Sequence, residues 1–270
     1  MSLPWIIDYW TYVIILEGNI QKAQKATITR DFTMRIDGRK AGQLRPVRIT
    51  PGFLKYPAGS ALIEFGNTRV ICSASILEEI PSWMRMQKVP GGWITSEYQM
   101  HPSATPDRSK RETSHPSGRT QEIQRLIGRS LRAAINLEKL GARTIYIDCE
   151  VIDADGGTRC AGITGGMVAL QLAIRKLLKD GKLKESPLLC NLAAVSVGVV
   201  KGEVLLDLCY QEDSSADVDM NLVMTDQGRI VEVQATGEES TFSKKEFDSM
   251  QKIAEKGIKH LFELQKKALK

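Results

Sequence analysis

The stretch TIYIDCEVIDADGGTRCAGITGGMVALQLAIRKLL, from Thr144 to Leu178, constrains the fold more than any other part of the chain. Its first part alternates. Ile145, Ile147, Cys149 and Val151 share one face and Tyr146, Asp148 and Glu150 the other, the pattern of a half-buried strand. Its last part, from about Ala161 to Leu178, predicts a helix that carries Gly162, Gly165 and Gly166. Glycine inside a helix is unfavourable relative to alanine by roughly 1 kcal/mol, so these residues predict close approach of the helix backbone to a sheet or a neighbouring element. Between strand and helix lies DADGGTR. Two glycines, a hydroxyl and an arginine at that handover fit either a tight connection with a solvated arginine or an anion site made of backbone N–H groups, Thr158 and Arg159.

The elements around this unit follow from the same periodicities. FLKYPAGSALIEFGNTRVICSASI reads as strands broken by glycine turns, with Gly66-Asn67 suited to a tight hairpin. LAAVSVGVVKGEVLLDLCY predicts two strands about Lys201-Gly202, and NLVMTDQGRIVEVQA a pair turned at Asp226-Gln227-Gly228. TQEIQRLIGRSLRAAINLEKLG changes period: Ile123, Leu126, Ile127, Leu131, Ala134 and Leu137 fall on one helical face. Glu122 is expected in the first turn of that helix, Arg119 just before it and Gly141 at its stop. A last amphipathic helix runs through KKEFDSMQKIAEKGIKHLFELQKKALK. Helices interleaved with hairpins predict an α+β fold in which helices cover a mixed or antiparallel sheet, with Arg35 to Lys270 as one domain.

Two stretches depart from this order. The first thirty-three residues, beginning MSLPWIIDYWTYVIIL, are rich in aromatic and β-branched residues, but Asp8 interrupts them and the apolar run that follows is too short to span a membrane. No basic residue precedes that run and no small-residue cleavage box follows it, so the pattern is not a signal peptide. The expectation is an appendage that packs on the body or is disordered, with Met34 as a second possible start. The segment PSWMRMQKVPGGWITSEYQMHPSATPDRSKRETSHPSGR breaks periodicity through much of its length and predicts a long loop. Its Arg108, Lys110 and Arg111, flanked by His101 and His115, suit a polyanionic partner.

Composition narrows the chemistry. The formal charge of +5, from 37 Lys and Arg against 32 Asp and Glu, permits an anionic partner without requiring one. Five scattered cysteines, with no CxxC pair, read as small core residues in a reducing, cytoplasmic setting. There is no GxxxxGK[ST] loop, no GxGxxG after a first strand and no GxSxG elbow, which argues against an ATPase, a dinucleotide oxidoreductase and a serine hydrolase. What remains is DLCYQEDSSADVDMNLVM, where Asp207, Glu212, Asp213, Asp217 and Asp219 crowd a connection between apolar strands. Asp217 and Asp219 would share a face of an extended segment, and a short turn after Asp213 could bring it alongside Asp219. Such oxygens fit either a solvated acidic loop or a Mg²⁺ or Mn²⁺ site completed by a phosphorylated substrate.

Seven ordered blocks then resemble the ribonuclease PH family. They are MRIDGRKAGQLRPVRI at Met34 to Ile49, GGWITSEY at Gly91 to Tyr98, GRTQEIQRLIGRSLRAA at Gly118 to Ala134, DADGGTR at Asp153 to Arg159, AAVSVGVV at Ala193 to Val200, EDSSADVDMNLVMT at Glu212 to Thr225 and EVQATGE at Glu232 to Glu238. The resemblance implies a ribosomal-protein-S5-domain-2-like α+β fold over residues 34–270, preceded by the extension 1–33. It implies a phosphate-dependent 3′-to-5′ exoribonuclease, a tRNA nucleotidyltransferase that trims the 3′ ends of tRNA precursors and other RNAs, assembled as a hexameric trimer of dimers.

At residue level the resemblance assigns inorganic phosphate to Arg119, Gly157, Thr158 and Arg159. It assigns catalysis to Asp213, Asp219 and Arg119, a divalent metal to Asp213 and Asp219, and RNA to Arg108 and Arg111. Ser103 stands where the family has a further arginine after the loop proline. Two other classes share parts of this pattern. A ring component that only binds RNA would need neither the GGTR loop nor the aspartate pair, and a hydrolytic nuclease would need the metal without a phosphate pocket.

Overall fold

The computed structural model describes residues 35–238 and 241–270, and the expectations for residues 1–33 lie outside them. The chain divides into two compact units, Met1–Lys40 and Ala41–Lys270. In the described end of the first, the Gly38 N–H donates to the Arg35 carbonyl at 2.7 Å and Arg39 Nε to Asp37 Oδ2 at 2.6 Å.

The second unit holds two sheets. In the first, β1 (Val47–Pro51), β2 (Gly59–Phe65), β3 (Thr68–Leu77), β4 (Trp93–Met100) and β5 (Thr144–Asp153) are ordered β1-β2-β3-β5-β4. Its pairs are antiparallel except β4–β5, which is parallel. The β2–β3 hairpin closes through Gly66-Asn67, with Phe65 opposite Thr68 and Gly66 at φ +56°, as the FGNT pattern predicts. The second sheet is antiparallel, ordered β7-β6-β8-β9, from β6 (Leu192–Val200), β7 (Glu203–Leu206), β8 (Val218–Thr225) and β9 (Ile230–Gly237). Both turns read from the sequence are present, at Lys201-Gly202 and at Asp226-Gln227-Gly228.

The helices are α1 (Ser82–Gln87), α2 (Gly118–Ala133), the one-turn α3 (Leu137–Leu140), α4 (Thr158–Lys179), the one-turn α5 (Tyr210–Asp213) and α6 (Lys244–Ala268). Helix α4 is the core, packed on β2 and β3 of one sheet and on β6 of the other. Nearly all of its residues from Thr158 to Leu170 are buried, which explains why it is long and apolar enough to pass for a membrane span. Its glycines serve the close approach read from the sequence. A Cβ on Gly165 would lie 2.7 Å from Ile63 Cγ2 and 2.8 Å from Cys72 Sγ. The facing strand makes the matching concession at Gly59, where a Cβ would lie 2.1 Å from the Ala169 carbonyl oxygen.

Four local expectations change. The segment expected as one long loop contains α1 and the strand β4; β4 pairs with β5 at the sheet edge, and Ser96 on its buried face and Trp93 on the other mask the alternation. Helix α2 ends at Ala133, and Gly141 terminates α3 instead. Arg119 is the second residue of α2, not a residue before it, because Ser117 caps the helix by accepting the Thr120 N–H at 3.2 Å. Glu122 consequently lies beyond the first turn.

Candidate active site

The GGTR segment lies at the start of α4 itself. The helix begins at Thr158, three residues earlier than its apolar pattern suggests, with Gly157 as N-cap. Gly156 and Gly157 are left-handed, at φ +73° and +66°, a region that glycine enters without steric cost. Gly157 offers no capping side chain, and the first helical bond is Ala161 N–H to the Gly157 carbonyl at 3.0 Å. The amides of the first turn therefore have no partner within the helix and carry the positive end of its dipole. Such an arrangement suits an anion.

The loop is also pressed against the acidic segment. A Cβ on Gly156 would lie 2.6 Å from the Leu208 carbonyl oxygen and 2.9 Å from the Tyr210 nitrogen. Asp155 Oδ1 accepts the Tyr210 N–H at 3.0 Å, where α5 begins. That one-turn helix ends on Asp213, and β8 starts beyond it with Asp219 as its second residue. Arg119, Gly157, Thr158, Arg159, Asp213 and Asp219 thereby line one cleft of about 1050 Å³. Asp217, in the bend before β8, lines it too.

Electrostatics set the two aspartates apart from surface carboxylates. Burial raises Asp213, opposed by Arg119 and Arg159. Burial, and then the charge of Asp213, push Asp219 up to about 6. Asp219 Oδ1 is buried with no hydrogen-bond partner, while Asn221 Nδ2 donates to Oδ2 at 3.3 Å. An orphaned carboxylate oxygen beside a second carboxylate fits a divalent cation, which would supply the missing partner and neutralise the pair. Among the described residues no group of three or more His, Cys, Asp or Glu side chains is placed to hold a metal, so a cation on these two would take its remaining ligands from substrate and water.

The arginine and threonine already have protein partners. Arg159 Nη1 donates to Gln234 Oε1 at 3.1 Å and to Glu122 Oε1 at 3.4 Å. Thr158 Oγ1 lies 2.8 Å from the hydroxyl of Tyr98, a residue of β4 that is 2 % exposed. Glu122, Gln234, Tyr98 and the cleft-lining Glu238 were all missed in the sequence as members of the site. Only the blocks GGWITSEY and EVQATGE hinted at Tyr98, Gln234 and Glu238, and nothing local marked their roles. Asp207 is not in the cleft at all: it is 1 % exposed and paired with Arg45, Nη2 to Oδ1 at 2.7 Å. Arg108 and Arg111 are exposed in the loop between β4 and α2 and do not line the cleft, although Thr105, Pro106 and Asp107 of that loop do.

Comparison with known proteins decides what this arrangement belongs to. Residues 43–175 match the model for domain 1 of the 3′ exoribonuclease family RNase PH, and residues 190–257 the model for its domain 2. The chain belongs to the ribonuclease PH family. Its relatives include Ribonuclease PH of Bacillus pumilus (strain SAFR-032), 55% identical over 236 residues that cover 86% of this chain and 97% of the relative. Ribonuclease PH of Bacillus subtilis (strain 168) is 54% identical over 239 residues, covering 87% and 97%. Membership makes the chain a phosphate-dependent 3′-to-5′ exoribonuclease and tRNA nucleotidyltransferase.

Solved structures share the fold at lower identity. Rice (Oryza sativa) Rrp46 superposes with a TM-score of 0.70 at 21% identity, covering 87% of this chain and 100% of that one. A chain of the Archaeoglobus fulgidus exosome with RNA bound to the active site gives 0.72 at 23% identity, covering 92% and 98%.

Proposed function

We propose that residues 34–270 form the catalytic domain, that 1–33 are an extension to it, and that the cleft at the start of α4 performs phosphorolysis. The observation that carries this reading is the meeting of an uncapped helix N-terminus and two arginines with an aspartate pair in one cleft. Arg119, Arg159, Thr158 and the first amides of α4 hold inorganic phosphate, with Gly156 and Gly157 allowing the backbone to approach it. The guanidinium groups neutralise the phosphate and fix its direction, leaving one oxygen in line with the terminal phosphodiester. That oxygen forms a new P–O bond while the bond to the departing 3′-oxygen breaks. The products are a nucleoside 5′-diphosphate and an RNA one nucleotide shorter. One phosphoryl linkage replaces another of similar kind, so nucleotide addition runs by the reverse path.

Asp213 and Asp219 would hold a divalent ion, Mg²⁺ or Mn²⁺, which stabilises negative charge on the scissile phosphoryl group when bound. Arg108 and Arg111 neutralise phosphates of the RNA upstream of its 3′ end. The substrate is the 3′ end of a tRNA precursor, handled in the cytoplasm. The assembly is a hexamer, a trimer of dimers, a reading supported by the fold shared with exosome chains. Incubating 3′-extended tRNA with and without phosphate, and identifying the released nucleotide, tests the proposal. Diphosphates released only with phosphate support it. Monophosphates would indicate hydrolysis, and no release would leave an RNA-binding protein.

A further inference from the structure

Arg45 and Asp207 stand apart from the cleft, yet they hold the loop that opens into it. Both side chains are almost sealed, at 3% and 2% exposure. Arg45 meets Asp207 as a fork: Nη2 donates to Oδ1 at 2.7 Å and Nε to Oδ2 at 3.0 Å, and the Arg45 backbone N–H reaches Oδ2 at 2.8 Å. The outer edge of the guanidinium then turns to the loop before α4. Nη2 donates to the Gly156 carbonyl at 3.3 Å, and Nη1 donates to the Asp155 carbonyl and to Thr68 Oγ1. Thr68 completes the bracket, donating to the Gly156 carbonyl at 2.7 Å and accepting the Asp155 N–H at 2.9 Å. The bracket is tight: a Cβ on Gly157 would lie 3.0 Å from Arg45 Nη2.

Asp207 is itself held in an unusual conformation. Its φ is +56°, the left-handed region that an aspartate rarely occupies, and the Ser196 carbonyl accepts its N–H at 2.7 Å. Ser196 Oγ accepts the next amide, Leu208 N–H, at 3.2 Å. Strain of this kind persists only where the surroundings over-determine it and concentrates at functional sites.

We propose that Arg45 and Asp207 are positioning residues for the attacking phosphate. They fix the carbonyls of Asp155 and Gly156, and so aim the N–H groups at the start of α4 into the cleft. A planar guanidinium can grip a carboxylate and two carbonyls at once, which a lysine ammonium cannot reproduce. The inference rests on the reading that this loop holds phosphate.

The test compares R45K, D207N and the apolar double variant R45M/D207L with the wild type, varying phosphate at fixed saturating RNA. R45K and D207N are expected to raise the KM for phosphate by about tenfold or more, with kcat at saturating phosphate changed by less than about threefold. RNA affinity, measured without phosphate, stays at the wild-type value. R45M/D207L leaves no lone buried charge but deprives the Arg45 N–H and the Asp155 carbonyl of their partners, so its unfolding midpoint is expected to fall, with the protein still folded at the assay temperature and its phosphate KM high. A wild-type KM in R45K and in the double variant would overturn the inference, because the pair would then be structural only. A wild-type enzyme whose turnover does not depend on phosphate would instead overturn the function given to the loop.

Discussion

Asp155 Oδ1 accepts the backbone N–H of Tyr210 at 3.0 Å and so ties the loop before α4 to the one-turn helix that ends on Asp213. A four-residue helix has no stability of its own, and this bond fixes where it starts together with the Glu212 side chain, which accepts the Cys209 N–H at 3.1 Å. The other Asp155 oxygen accepts from Asn67 Nδ2 at 3.1 Å. D155A is expected to cost roughly 1 to 2 kcal/mol of stability, for two lost bonds to a carboxylate, and to lower kcat by about tenfold or more through misplacement of Asp213. Urea denaturation and phosphorolysis rates check the two effects separately. An unchanged kcat would mean that Asp213 keeps its place without the tether.

Tyr98 supports the site from beneath. Its hydroxyl, 2.8 Å from Thr158 Oγ1, restricts the threonine rotamer, and its burial is nearly complete. Y98F removes the bond and leaves Thr158 without it, at a cost of about 1 kcal/mol. The KM for phosphate should rise several-fold while RNA binding is unaffected. Parallel phosphate titration and RNA filter binding distinguish this from a general loss of structure, which would weaken both.

The raised Asp219 gives a stability profile with a defined sign. Its value of about 6 exceeds the ordinary 3.8, so the fold disfavours its ionisation. The stability this group contributes is complete below its unfolded value and is lost as pH rises through about 6. D219N stays neutral throughout. In metal-free buffer near about pH 8 the variant should be more stable than wild type by roughly 1 to 3 kcal/mol, with no difference near about pH 3.5. Denaturant titrations at both pH values decide it; equal midpoints at the higher pH would contradict the burial argument.

A proton and a divalent cation compete for the same carboxylate. Mg²⁺ affinity of the wild type should therefore be steady at neutral pH and fall toward about tenfold per pH unit below about 6. Calorimetric Mg²⁺ titration over that range tests it, with D219N as the control that should bind weakly at every pH. An affinity independent of pH would place the ion elsewhere.

Replacing Arg108 and Arg111 together by Ala should weaken RNA binding and reduce its salt slope by about 2, since each arginine neutralises about one phosphate. Thermal stability should hold, because both side chains are exposed and away from the core. Binding isotherms at several salt concentrations read the slope. An unchanged slope would remove these residues from the RNA path.

The features legible in the sequence are those governed by neighbours along the chain. The alternation of Ile145, Ile147, Cys149 and Val151 marked β5, Gly66-Asn67 and Lys201-Gly202 marked their hairpins, and the glycines of α4 marked its close packing. The DADGGTR block marked either a tight connection or an anion loop, and its two glycines are left-handed in the turn before α4. β4 was obscured because its burial alternates but its chemistry does not follow: polar Ser96 sits on the buried face and apolar Trp93 on the other.

What only the tertiary structure decided is how residues far apart in the chain share the work. The acidic stretch looked like one cluster, yet a left-handed turn at Asp207 sends that carboxylate inward to Arg45, 162 positions away, while Asp213 and Asp219 face the cleft. Glu122 passed as a helix-start charge until Arg159 and Gln234 met it from α4 and β9. Local periodicity fixes which face of an element is apolar. Which polar group finds which partner depends on long-range packing, because a buried charge is tolerated only where another element brings its counterpart.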